Sequence, residues 1–332
     1  MLQIWFIRLL FTASLLAFIL ILMGSYLRLS DAGLVCPDFP GCHGQLFPPD
    51  SESVVNSEHP YDAAKAWSTM IHRYLAVVFS ILVVMLVTLA QRMKSGARYS
   101  TQLLLVLLLT LLQGVLGYLT ISMLLHPAVV TLHLLTAMLI LSLLWSVYLN
   151  AASKGAFYSE RLPESNLRPW IIIAFILVCL QILLGGFTSS NYASLACPDL
   201  PTCQQQWLPA FDFSAIYQLL SQDNVSYQGG LLNNQQSITV HLLHRYGAVI
   251  TFVYVAFLSF LAIREKAAIY RDAGLWLVFA LILQMQLGVA DIVFLLPLPI
   301  AIAHTAGVAL LLLSLVYLHH LIRHSKVSIY TH

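Results

Sequence analysis

Apolar and polar residues do not alternate along this chain; apolar residues come in long blocks and polar ones collect between them. Blocks of about 20 residues, enough for an α-helix to cross a bilayer core, can be placed eight times: roughly 5–26, 67–90, 101–121, 128–150, 169–189, 239–262, 273–295 and 300–322. The pattern predicts an all-α membrane protein with eight transmembrane helices. Hydrophobic residues form 59% of the chain and charged residues 9%, against about 25% charged in a soluble domain. With about 190 of the 332 residues in spans, no sizeable soluble domain is left over.

The blocks repeat. "LVCPDFPGC" from Leu34 returns as "LACPDLPTC" from Leu195, and "IHRYLAV" from Ile71 returns as "LHRYGAV" from Leu243. "LLQGVLG" ending at Gly117 matches "ILQMQLG" ending at Gly288, and His133 and His304 each follow that glycine by 16 residues. Such a period predicts two tandem, pseudo-symmetric four-helix bundles. Four is an even number of crossings, so both share one orientation about an axis along the membrane normal. The division falls at 1–150, a cytoplasmic linker at 151–168, and 169–332 with a short cytoplasmic tail. The first 25 residues could pass for a secretory signal. Gly24, however, precedes Cys36 by 12 residues as Gly185 precedes Cys197, so the first span has a counterpart in the fifth and is expected to be retained.

Charge fixes the expected orientation. Loops 91–100, 151–168 and 263–272 carry nine Lys and Arg residues; the opposite side carries only Arg28 and Lys65. The positive-inside rule places both termini in the cytoplasm of a bacterial inner membrane and both cysteine loops outside. The net charge of +2 follows from this topology and gives no reason to expect nucleic acid. In an oxidising space, Cys36 with Cys42 and Cys197 with Cys203 can each close a small disulfide ring that stiffens its loop. A redox-active dithiol and free thiols are the alternatives. Cys179, alone in a span, reads as packing.

Four histidines repeat in register: His72, His133, His244 and His304, each about five residues into an even-numbered span from its outer end, roughly 8 Å down. Ionisable groups in a span face the bundle interior or a polar cavity. Two imidazoles at one depth on different helices suit an iron porphyrin held from both faces. Zinc, which takes three or four protein ligands, suits less, and hydrogen bonds to neighbouring helices are the plain alternative. Arg73 and Arg245 follow their histidines and could pair with haem propionates, with snorkelling or a carboxylate partner as the alternative. His241 lies one turn before His244, as a propionate contact, alternative ligand or interfacial residue. Asp291 could pair with Arg245, shuttle a proton or have no role. Trp207 and Leu208 could cap a haem pocket, although loop packing is the default reading. His319, His320, His324 and His332 are assigned to the tail, without a role.

Taken in order, "GSYLRLSDAGLVCPDFPGC", "MIHRYLA", "VTLHLLTA", "GGFTSSNYASLACPDLPTC", "LHRYGAV" and "IAHTAG" resemble the heme A synthase family, from Gly24 to Gly307. The resemblance implies an oxidoreductase that converts the ring methyl of heme O to the formyl group of heme A for cytochrome oxidase assembly. It further implies resident haem b on His244 and His304, and substrate haem iron received by His72 and His133 as the catalytic pair. Cys36 and Cys42 become the pair suspected of a redox role. Implied partners are heme O, heme O synthase, oxidase assembly proteins, membrane lipid and further copies of the chain. One position departs: the family usually has glutamate three residues before its first histidine, where this chain has Thr69. Threonine cannot act as a carboxylate base, and Glu58 or Asp62 could substitute only if the loop folds over the site. A non-catalytic haem-binding assembly factor and a dihaem b-type electron-transfer protein are the rival readings.

Overall fold

The computed structural model describes residues 2–49, 61–93, 96–153, 163–214 and 225–324. Among these there is no strand, and eight helices are long and apolar enough to cross a membrane. They are α1 (Leu2–Leu29), α2 (Ala63–Arg92), α3 (Ala97–Ser122), α4 (Pro127–Ala152), α5 (Arg168–Ser190), α6 (Asn234–Ile263), α7 (Ala268–Val293) and α8 (Leu298–Arg323).

Several helices outrun their apolar blocks because polar residues start them. Asp62 accepts from the amides of Ala64 and Lys65 and so begins α2 four residues before the expected 67. Asn233 and Gln236 form a reciprocal capping box that begins α6 five residues before the expected 239. Each cap satisfies amides that an apolar residue would leave bare, typically stabilising by about 1 kcal/mol. Proline opens α4, α5 and α8 in the first turn, where its missing N–H costs nothing.

Helices α1 to α4 pack as a ring, each against the next and α4 back against α1; α5 to α8 do the same. A seam joins α4 to α5, α1 to α8 and α4 to α8. Lipid tails are as apolar as leucine, so such a seam depends on close approach and polar links. Ser25 and Thr305 share a hydroxyl hydrogen bond of 2.9 Å between α1 and α8. Thr131 and Ser190 lie 3.5 Å apart between α4 and α5, where a side chain at Gly186 would come within 3.1 Å of the Thr131 methyl. The interior is filled by such residues as Phe6, Leu86, Leu144, Leu258, Tyr270 and Leu315. Exposed Val78, Leu111, Ile176, Val253 and Phe279 fall on outward faces, as expected against lipid.

Candidate histidine-paired site

At one end of the helices the two cysteine loops take the same form. Cys36 is bonded to Cys42 and Cys197 to Cys203, each across a Cα separation of 4.6 Å. Each ring contains an aspartate that accepts main-chain amides: Asp38 from His43 (2.6 Å) and Gly44 (2.9 Å), Asp199 from Gln204 (2.6 Å) and Gln205 (3.0 Å). The Thr202 hydroxyl, then the amides of Gln205 and Gln204, hold the Asp199 carboxyl at about 2. At Asp38 burial acts upward, but the amides of Gly44 and His43 outweigh it and the carboxyl lies below its ordinary value. Trp207 and Leu208 point outward, 73% and 75% exposed, so they cap no interior pocket.

The helix beneath grips each ring. Arg73 donates to the carbonyls of Asp38 (2.9 Å), Cys36 (3.2 Å), Pro40 (3.3 Å) and Gly41. Arg245 donates to Asp199 and Thr202 (both 2.9 Å) and to Cys197. One turn before the histidine sits a second tie. The Thr69 hydroxyl lies 3.1 Å from the Ala32 carbonyl and 3.0 Å from that of Lys65. At the matching place His241 is buried, its Nδ1 accepting from the Cys197 amide at 3.2 Å and its Nε2 facing Arg245 at 3.2 Å. Thr69 and His241 therefore both fasten loop to helix. Asp62 is committed to its cap, and Glu58 lies outside the described residues. Arg245 does not pair with Asp291, whose buried Oδ1 has no partner.

Below this layer lie the four repeated histidines. His72 and His244 are nine and ten residues past the starts of α2 and α6, about 14 and 15 Å, because those helices begin outside the apolar blocks. His133 and His304 are six residues past the starts of α4 and α8, about 9 Å. Within each half the two rings lie in electrostatic reach of one another. Each imidazole packs on a glycine of the preceding helix. A Cβ at Gly24 would come 3.6 Å from His72 Cε1 and one at Gly117 3.5 Å from His133 Cε1; at Gly185 and Gly288 the distances to His244 and His304 are 2.8 and 2.9 Å. The C-terminal pair is the more tightly seated.

Three glutamines that hydropathy leaves unremarked complete the layer. Gln113 donates to the His133 carbonyl at 3.0 Å. Gln181 lies 2.9 Å from both Nδ1 and the carbonyl of His244, and Gln284 lies 3.3 Å from Nε2 of His304. A sequence signal exists: each glutamine stands four residues before the glycine that seats the histidine, in "QGVLG", "QILLG" and "QMQLG".

This donor set fits a flat macrocycle. The four histidines are partly exposed residues, while Nδ1 of His72, His133 and His304 is enclosed without a hydrogen-bond partner. Among the described residues no three His, Cys, Asp or Glu side chains gather around a bare ion. A cavity of about 370 Å³ belongs to the opposite end, lined by Ser146, Asn150, Cys179, His319 and Arg323. His319 is 15 residues beyond His304, about 22 Å along the same helix. His319 and His320 thus stand within α8 rather than in a tail, with His324 as its cap, and His332 lies outside the described residues.

Eight helices long and apolar enough to cross a membrane, with two disulfide-closed loops at one end, define a multi-pass membrane protein. The chain belongs to the cytochrome oxidase assembly protein family COX15-CtaA, whose profile matches residues 7–316. It is 37% identical to the heme A synthase of Shewanella oneidensis, over 98% of each chain. It is 28% identical to that of Caulobacter sp. strain K31, over 91% of this chain and 92% of the relative. With the heme A synthase of Wolbachia pipientis it shares 27%, over 89% and 91%.

Proposed function

We propose that this chain is a heme A synthase, oxidising the ring methyl of heme O to the formyl group of heme A for cytochrome oxidase assembly. The observation that carries the reading is the duplicated pair of imidazoles, each ring resting on a glycine, in a chain so similar along its length to named heme A synthases. In the N-terminal half His72 and His133 receive the substrate haem iron; in the C-terminal half His244 and His304 hold haem b. When bound, haem b supplies one-electron redox chemistry. The chain's own work is to clamp and orient. The glycines let the helices close on the imidazoles, and the arginines keep the cysteine loops seated above them. With their remaining N–H capacity Arg73 and Arg245 can also meet propionates at that end of the bundle. The distribution of Lys and Arg supports cytoplasmic termini and chemistry at the outer face, and the bacterial relatives support an inner membrane. Heme O synthase, oxidase assembly proteins and further copies of the chain are the partners this reading assigns.

The test is purification followed by spectroscopy and haem extraction. A six-coordinate low-spin b-type spectrum is expected, lost in His244→Ala and His304→Ala and kept in His72→Ala. Coexpression with a heme O source should yield heme A from wild type and none from His72→Ala. A wild type that binds haem but forms no heme A would indicate an assembly factor, the reading Thr69 favours. Two permanently bound haems without product would indicate an electron-transfer cytochrome.

A further inference from the structure

Internal duplication allows each histidine site to be compared with its own copy. In the pair His133 and His304 the glutamine itself is kept, Gln113 four residues before Gly117 and Gln284 four before Gly288, but only Gln284 has a notch: three residues after His304 comes Gly307, where a Cβ would collide with Oε1 of Gln284, and three after His133 comes Thr136. The other pair differs. Gln181 stands four residues before Gly185 beside His244, and the equivalent residue before Gly24, beside His72, is Leu20. A second difference accompanies the first. Three residues after His244 comes Gly247, and three after His72 comes Leu75. Gly247 is where it is for a visible reason: a Cβ there would collide with Oε1 of Gln181. Gln181 and Gly247 thus form one device, an amide seated in a notch of the facing helix, and the N-terminal half has leucine at both positions.

We infer that Gln181, seated against Gly247, is a positioning residue that fixes the His244 imidazole for permanent haem retention, and that Leu20 and Leu75 leave His72 unrestrained so that haem can exchange. The inference rests on the proposed function. An imidazole that binds iron through Nε2 carries its proton on Nδ1 and needs an acceptor there; such an outer hydrogen bond fixes the ring and raises its basicity. Gln181 already lies 2.9 Å from Nδ1 of His244, and its Oε1 is enclosed without a partner. Turning the amide end over presents Oε1 to Nδ1–H and gives up the bond that the amide Nε2 now donates to the His244 carbonyl, which the new Nδ1–H to Oε1 bond replaces. His72 has no such neighbour: its Nδ1 is enclosed and unpartnered. A site that keeps its haem gains from a restrained ligand, whereas a site that must release a product does not.

The experiment uses the full-length protein in detergent and reads haem-to-protein ratio, midpoint potential and thermal stability. Gln181→Leu should lose a large part of its haem b on dilution and shift the remainder to higher potential, because a less basic imidazole stabilises ferric iron less. Gln181→Glu keeps an acceptor of the same shape and should retain haem as wild type does. In the N-terminal half Leu20→Gln with Leu75→Gly should raise the haem-to-protein ratio after purification with heme O present. If Gln181→Leu melts earlier but keeps its haem at the wild-type potential, the glutamine only packs helices and the inference is overturned. Absence of b-type haem from wild type would instead overturn the proposed function, so the two failures are distinct.

Discussion

Asp31 and Tyr192 occupy equivalent positions in the two halves of the chain and are hydrogen-bonded to one another, the Tyr192 hydroxyl donating to Asp31 Oδ1. Both have left-handed backbone, φ 54° and 56°, at the turn that leaves α1 or α5. Arg28 completes the knot: it lies 4.0 Å over the Tyr192 ring, 4.0 Å from the Asp31 carboxylate, and donates to the Ser189 carbonyl. Symmetry-related residues that differ in chemistry can pair where identical ones could not.

Tyr192→Phe removes the donor and leaves a half-buried carboxylate short of a partner, a loss of about 1–3 kcal/mol. The melting temperature in detergent should fall accordingly. Burial, then the bond to Asp31, raises the Tyr192 phenol above its usual 10. The folded state therefore holds this proton more tightly than the unfolded chain. That contribution is complete below pH 10 and is lost as pH climbs through the raised value. Unfolding measured above pH 10 should show this loss in wild type and not in Tyr192→Phe.

The glycine contacts rank the four sites. Gly185→Ala and Gly288→Ala place a methyl 2.8 and 2.9 Å from His244 and His304 and must displace the imidazole. Overpacking of this kind costs about 1–3 kcal/mol. Gly24→Ala and Gly117→Ala meet His72 and His133 at 3.6 and 3.5 Å, ordinary contact. The low-spin b-type spectrum should weaken or broaden in the first two variants, and heme A formation should persist in the last two.

Thr69→Val tests whether the hydroxyl has chemistry of its own. Both its contacts are main-chain oxygens, Ala32 and Lys65, and one hydroxyl proton serves them. The variant should lose about 1 kcal/mol of stability and still form heme A on coexpression with a heme O source. Arrested conversion with intact haem b would assign the hydroxyl to the reaction.

Asp199 gives the C-terminal cysteine loop an acid limit. With its carboxyl at about 2, the stabilisation it supplies is present above the ordinary 3.8 and fades as pH falls through 2. Hydrogen exchange at the Gln204 and Gln205 amides should accelerate across that window. Asp199→Asn should show faster exchange already at neutral pH.

Much of this was legible beforehand, and the omissions have a physical cause. Hydropathy marks what lipid covers, so all eight spans and their duplication could be read, and cysteines six residues apart are bonded in the structure as one of the readings held. It cannot mark helix that continues into water, which is why the starts at Asp62 and Asn233 escape it. The loop carbonyls that accept from Arg73 and Arg245 are announced by no residue letter, so the sequence offers a propionate for these arginines and not their hold on the loops. The role of Gln181 stays hidden in the sequence because a lone amide in an apolar run looks incidental until Gly247 is seen to make room for it.

Each cysteine loop is secured twice, by a covalent ring and by a guanidinium reaching up from below. Thiol reduction removes one fastening and leaves the other untouched. On reduction each loop would therefore keep a second, non-covalent hold over the histidine layer.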